Sequence, residues 1–429
     1  MTILSGNSCW LNWIRSEADD FSLHPLALSC FVLFGCSMPS SYIENRRFWE
    51  RPLTQSFIQW SLVFFLGSHF LLWALVACWN HEGIFSILRH YDAFWYNRII
   101  HEGYGSNEKL WGFFPLYPTC VGVLYRCLGG WVTAEVIGSC LSTGCFLIAV
   151  FLMSPVLKGR SFPLLDKVTP NTPLEATRSL LIPVSRLAWI TFLFSPASYV
   201  FHSHLTESLF LLVSVLAFHL SLSRHWVLAS IMAGLGALTR IPGAFLAMSI
   251  GLLSASQVYG HRSKLTLLKI FTLSGIISGF LWCTYFLYMD LKTGDPFVLF
   301  KVQAQWTGNG SLTLMRVFRT LWFGNPSQHL GLNSMMHHPF TLLIVLGSLG
   351  AWKKSPAIGI YGVLCMGMMF FPGELISAYR YSAVLFPILF FIGDYVHRKM
   401  LDAAWPLVIL WVGFNGLITV KYALGTWAG

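Results

Sequence analysis

The sequence predicts an all-α polytopic membrane protein, and three observations carry the prediction. Hydrophobic types make up 55% of the 429 residues, while charged types make up 11%. Mean hydropathy is +0.61. A soluble domain carries about 25% charged residues, which it needs to cover its surface. The apolar residues also fall in runs of about 15–25, the length a membrane helix requires. A membrane barrel would show alternating segments of about 10. The same figures exclude a disordered chain, a coiled coil and a secreted disulfide scaffold.

A helix crosses ~30 Å of hydrocarbon with about 20 mostly apolar residues. Eleven runs read as spans: Phe57–Trp79, Trp131–Met153, Val184–Phe201, Glu207–Leu222, Trp226–Leu238, Gly243–Tyr259, Leu265–Met289, Phe340–Trp352, Ile358–Phe371, Tyr381–Val396 and Ala404–Leu424. A twelfth is added if Pro25–Met38 crosses. Phe114–Leu128 is short and holds Pro115, Pro118 and Arg126.

Loop charges set the orientation. Arg46, Arg47 and Arg51 precede the first clear run. Lys158, Arg160, Lys167, Arg178 and Arg186 follow Met153, and Arg224, Arg262 with Lys264, Lys353 with Lys354, and Arg398 with Lys399 come later. All of them face the cytoplasm under the positive-inside bias, provided Phe114–Leu128 lies in the outer interface or re-enters. The net charge of +10, from 28 basic against 18 acidic residues, is then a property of inner loops and no sign of nucleic-acid binding. The reading is an N-terminal segment, 1–55, followed by one transmembrane domain, 56–429. Its long outer loops are 80–130 and 290–339, and 157–183 is a polar cytoplasmic loop. Glu17, Asp19 and Asp20 argue against a cleavable signal peptide, so the first span is expected to direct insertion. The ten cysteines form no Cys-x-x-Cys pair, and those in apolar runs, such as Cys140, Cys145 and Cys283, read as buried thiols.

This topology gathers the unusual polar residues on the outer side. The first outer loop holds Arg89-His-Tyr-Asp92-Ala-Phe-Trp-Tyr-Asn-Arg98, then His101-Glu102. An interface belt accounts for its aromatics. A carboxylate set among rings is suited to accept a proton, although a solvated loop acid fits the spacing equally. His202, His204 and Glu207 lie at the next outer turn. Helix capping by Thr206 is the plain reading there, and recognition of sugar hydroxyls or an acceptor amine the sharper one. No third ligand accompanies the two histidines, so no metal site is expected. Arg240, where two short runs meet, needs a partner in or near lipid, and phosphate suits a guanidinium. Gly294-Asp295-Pro296 reads as a turn on spacing alone. Arg380, between Tyr379 and Tyr381, anchors the interface or binds phosphate. Walker and Gly-x-Gly-x-x-Gly loops are absent from the sequence, which leaves no evident seat for a nucleotide sugar.

Taken in order, several motifs form a set. They are Tyr91-Asp92 with Glu102-Gly103-Tyr104, Phe113-Phe114-Pro115-Leu-Tyr117-Pro118, and Ser195-Pro196-Ala197-Ser198 through Thr206-Glu207-Ser208-Leu-Phe210. Leu238-Thr239-Arg240, Gly294-Asp295-Pro296 with Gln305-Trp306, and Tyr379-Arg380-Tyr381 follow. The set resembles the PIG-V type mannosyltransferases (the GPI mannosyltransferase 2 family) and their bacterial relatives, from about Phe57 to the C-terminus. The family has Trp where this sequence has Tyr91.

The resemblance implies a GT-C fold and inverting transfer of a sugar, typically mannose, from a polyprenyl-phosphate donor to a glycolipid acceptor. It implies Asp92 as base, with Arg240, Arg380 and Arg98 on the donor phosphate. Glu102, Glu207, His202, Asp295 and Tyr381 become contacts to sugar or acceptor. No cofactor or metal is expected beyond the lipid-linked sugar itself. The partners are membrane lipids, with room for a small membrane subunit. The chain would sit in a bacterial cytoplasmic membrane or the endoplasmic reticulum, with its site extracytoplasmic or lumenal. The sequon Asn309-Gly310-Ser311 has meaning only in the second case. A transporter or lipid flippase, a non-catalytic scaffold and a GT-C transferase of another sugar are the alternatives.

Overall fold

The computed structural model describes residues 48–81, 83–157, 184–257, 264–307, 332–370 and 378–426. Pro25–Met38, most of the 157–183 loop, the sequon and Glu374 lie outside the described residues. Every regular element among the described residues is helical.

Four helices are long and apolar enough to cross a membrane: α1 (Gln55–Trp79), α4 (Ala134–Leu157, apolar through Met153), α9 (Lys264–Thr293) and α15 (Ala404–Ala423). α1 and α9 turn Phe70, Leu71, Leu75, Ile276, Phe280 and Leu291 outward. An exposed apolar face of that kind suits lipid and is unfavourable in water. The architecture is that of a helical membrane protein.

Five shorter apolar helices fill the bundle: α6 (Glu207–Leu222), α7 (Trp226–Ala237), α8 (Pro242–Ser256), α11 (Leu332–Trp352, apolar from Pro339) and α12 (Pro356–Phe370). The twelve residues of α7 reach about 18 Å, well short of the hydrocarbon thickness. α7 is packed among α6, α8 and α9, and α12 lies on α8 and α11.

Two expected spans are interrupted. Val184–Phe201 forms α5 (Arg186–Leu193), then a 3-10 turn over Ser198–Phe201. Pro196 lies in the gap, where it offers no N–H and disfavours α geometry at Ser195. Tyr381–Val396 divides into α13 (Ala378–Ala383) and α14 (Phe386–Lys399), with Pro387 in the first turn of α14. The expected outer loop 80–130 is itself built, from α2 (Asp92–Glu102), α3 (Leu116–Cys127) and 3-10 turns. α3 covers the Phe114–Leu128 stretch and packs on α2 and α4. A further helix, α10 (Val298–Thr307), packs against the 3-10 turn Glu108–Gly112. There the Gln303 amide donates to the Gly112 carbonyl at 2.7 Å.

The cysteine expectation is corrected in part. Cys145 is buried, but Cys140 and Cys283 are exposed on outer helix faces. A thiol in an apolar run is as compatible with lipid as with the protein interior.

Candidate functional site

α2 opens at an unusual backbone. Tyr91, its N-cap, has φ 55° and ψ −123°. Such a conformation costs a side-chain-bearing residue about 1–3 kcal/mol and persists only where its surroundings impose it. Here the His90 ring nitrogen bonds the Tyr422 carbonyl at 2.9 Å, and the Tyr91 ring lies 5.8 Å from that of Tyr422. Asp92 is thereby started into the helix with its carboxylate turned to the bundle. Burial pushes the Tyr91 hydroxyl well above its ordinary value, against the opposing charge of Arg380.

Four charged side chains from four separate stretches meet at that point. Arg380, on α13, donates through Nη2 to Asp92 Oδ2 at 2.7 Å. The same guanidinium holds Glu207 Oε1 through Nε at 2.9 Å and Nη2 at 2.7 Å. Arg240, in the α7–α8 turn, pairs with the same Glu207 oxygen. Arg240 also donates to Thr206 Oγ1 at 3.1 Å, and its guanidinium lies 4.7 Å over the Tyr381 ring. The α7–α8 turn closes because residue 243 is glycine: a Cβ there would meet the Ala237 nitrogen at 2.1 Å.

Exposure within this group is uneven. The Glu207 side chain is 0% exposed and that of Arg380 5%, while Asp92 keeps 27%. Asp92 is therefore the group that borders open space. Two guanidiniums face two carboxylates, so the network balances its own charge.

The structure brings Asp92, Glu207, Arg240, Arg380 and Tyr381 together. It does not bring in the remaining expected residues. Arg98 and Glu102 bind each other one turn apart on the outer face of α2, at 2.7 Å. Asp295 forms the turn after α9, where it accepts from the Phe297 amide at 3.0 Å and pairs with Lys301 at 2.6 Å. The turn expected from the spacing is present there. Thr206 does not cap α6 with its side chain; its hydroxyl receives Arg240 instead. Glu207 joins the cluster as the acid between two arginines, with no surface left for a sugar.

His202 belongs to a second buried network that sequence reading missed. Asn415 Nδ2 donates to the Ser195 carbonyl at 2.8 Å, so its Oδ1 must accept from His69 Nε2, 2.8 Å away. His69 Nδ1 is then an acceptor, and His202 Nε2, at 2.7 Å, its donor. The His202 ring also meets the Trp73 ring edge-on at 4.6 Å. The available signal was a histidine and an asparagine inside apolar runs, which lipid makes expensive without partners.

Tyr96 was also missed. It lies one turn along α2 from Asp92, buried, with its ring 5.3 Å from Tyr117 and 5.9 Å from His204. His204 bonds the Tyr117 hydroxyl at 3.0 Å, and burial lowers its pKa to about 4.

No protein-family model and no curated protein sequence matches the chain.

Proposed function

We propose that the chain is a GT-C type glycosyltransferase of eleven spans that moves a sugar, mannose by the family resemblance, from a polyprenyl-phosphate donor to a glycolipid acceptor. The observation that carries the reading is the convergence of Asp92, Arg380, Glu207 and Arg240 at one end of the bundle. It supports a site holding a base beside two cations where a lipid headgroup would arrive. The other end carries Lys354, Asp394 and Arg398. Basic residues mark the cytoplasmic side, so the site would be extracytoplasmic.

In this mechanism the apolar helix faces hold the polyprenyl chain. An acceptor hydroxyl bonds Asp92, gives its proton to the carboxylate and attacks the anomeric carbon from the face opposite the phosphate. The bond from that carbon to the phosphate oxygen breaks with its electron pair on the oxygen. Arg380 and Arg240 stabilise the charge that develops there. Glu207 is a positioning residue that fixes both guanidiniums. Arg98, paired on the outer face of α2, has no part in this step.

Purified protein would be given labelled polyprenyl-phosphate mannose and extracted lipids. Incorporation from that donor and none from GDP-mannose supports the class. No incorporation with any polyprenyl-phosphate sugar rejects it. The buried His69–His202 pair favours a second reading, proton-coupled transport, since paired ionisable groups inside spans mark proton paths. Proton flux in proteoliposomes that His69→Gln abolishes would establish that reading instead.

A further inference from the structure

Arg380 serves two masters in this site. Its guanidinium binds the exposed carboxylate of Asp92 and the sealed carboxylate of Glu207. Glu207 cannot be reached from outside, and both guanidiniums are nearly as enclosed. Asp92 is the open member of the four and is bound to Arg380, so an anion approaching from the open side meets the Asp92–Arg380 pair first. It is repelled by the carboxylate and attracted to the N–H groups that the carboxylate occupies. Charge-assisted hydrogen bonds to one guanidinium edge are strong and directional, so two anions seeking that edge exclude one another.

We infer that the lipid phosphate and the Asp92 carboxylate compete for Arg380, and that this guanidinium passes from Asp92 to the phosphate as the sugar is transferred. The inference rests on the lipid-phosphate reading above. The charges balance along the step. Before transfer, the donor phosphodiester carries one negative charge and Asp92 another. The acceptor proton then neutralises Asp92 as the acceptor oxygen–carbon bond forms. The departing phosphate gains the electron pair of the broken bond and with it a second negative charge. The sum around the two arginines is unchanged; what moves is the place where Arg380 is needed. Protonation of Asp92 frees Arg380 at the moment the leaving group requires it. Once Asp92 passes that proton to solvent, to which it is open, its carboxylate reclaims Arg380, weakens the hold on the spent lipid phosphate and favours its release.

The test uses the full-length protein in lipid nanodiscs and a probe that cannot react, a labelled polyprenyl methyl phosphodiester with one negative charge. Polyprenol is the neutral control. Asp92→Asn, which leaves Arg380 to the phosphate, is expected to bind the phosphodiester about tenfold more tightly than wild type. Its affinity for polyprenol stays unchanged. Asp92→Ser gives the same result where the asparagine variant does not fold, as judged by thermal melting. Equal or weaker phosphodiester binding by the folded variants overturns the exchange, and so does an equal gain for polyprenol. Binding of the phosphodiester no tighter than polyprenol in wild type and variants alike overturns the lipid-phosphate reading and the exchange with it.

Discussion

At the end of the bundle where α13 begins, Asp92, Glu207, Arg240 and Arg380 come from four distant parts of the chain and are largely enclosed. At the other end, Asp394 is buried but is held by Arg398 one turn away on α14 and by Lys354, both of them well exposed. The second arrangement is what a helix end facing water produces: long basic chains reach back to an acid and keep their heads solvated. The first takes several charges out of water together, which costs far more and is tolerated only because opposite charges are set against one another. The contrast teaches where this molecule accepts a stability cost. It does so around Asp92, the most exposed of the four.

The comparison breaks most sharply at Glu207. Glu207→Gln leaves two buried guanidiniums without their shared counter-charge. We expect at least a hundredfold loss of transfer activity and destabilisation of about 3–5 kcal/mol, as for other broken buried pairs. Turnover and thermal melting in detergent read the two effects. A variant that melts like wild type would show that the network is not the unit described. Asp92→Asn separates chemistry from stability. Turnover is expected to fall by about 10²–10⁴-fold, the usual range for a general base. The melting temperature moves less than for Glu207→Gln, because Asp92 keeps contact with solvent. Full turnover by a folded Asp92→Asn protein rejects it as the base.

The tightness of the site end is tested at Gly138. A Cβ there would fall 1.7 Å from His204 Nδ1. Gly138→Ala is therefore expected to displace His204 from Tyr117 and cost about 1–3 kcal/mol, visible as a lower melting temperature. The smallest effect belongs to the opposite end. Arg398→Ala removes an exposed partner of Asp394 and should change stability by less than about 1 kcal/mol, with transfer activity retained. A large loss of activity in that variant would erase the distinction between the two ends.

Much of this was legible before any fold was known. The apolar runs located the long helices, and their polar junctions pointed to Asp92, Arg240 and Arg380. For Arg98 and Glu102 the spacing itself carries the answer: four residues apart on a helix, opposite charges pair with each other first. The resemblance makes Glu207 a contact to sugar or acceptor. Its spacing from Asp92 and the arginines carries no information about a shared oxygen. His69 and Asn415 sit among apolar neighbours and disclose their bond to each other, and that of His69 to His202, only through the packing of the bundle, α1 against α15 included. The breaks at Pro196 and Pro387 were present in the sequence, yet runs measured by hydropathy pass through a proline that a helix does not.

The sequence by itself determined the helical, membrane-type architecture, because hydropathy and run length are sums over neighbouring residues and need no partner. It also determined which side chains are costly enough in such surroundings to demand one. Only the tertiary structure decided who those partners are: that Arg380 is shared by Asp92 and Glu207, that Thr206 serves Arg240, and that Arg98 and Asp295 stand apart. Pairings between separate helices depend on which helix faces meet, and that is a property of the packed bundle.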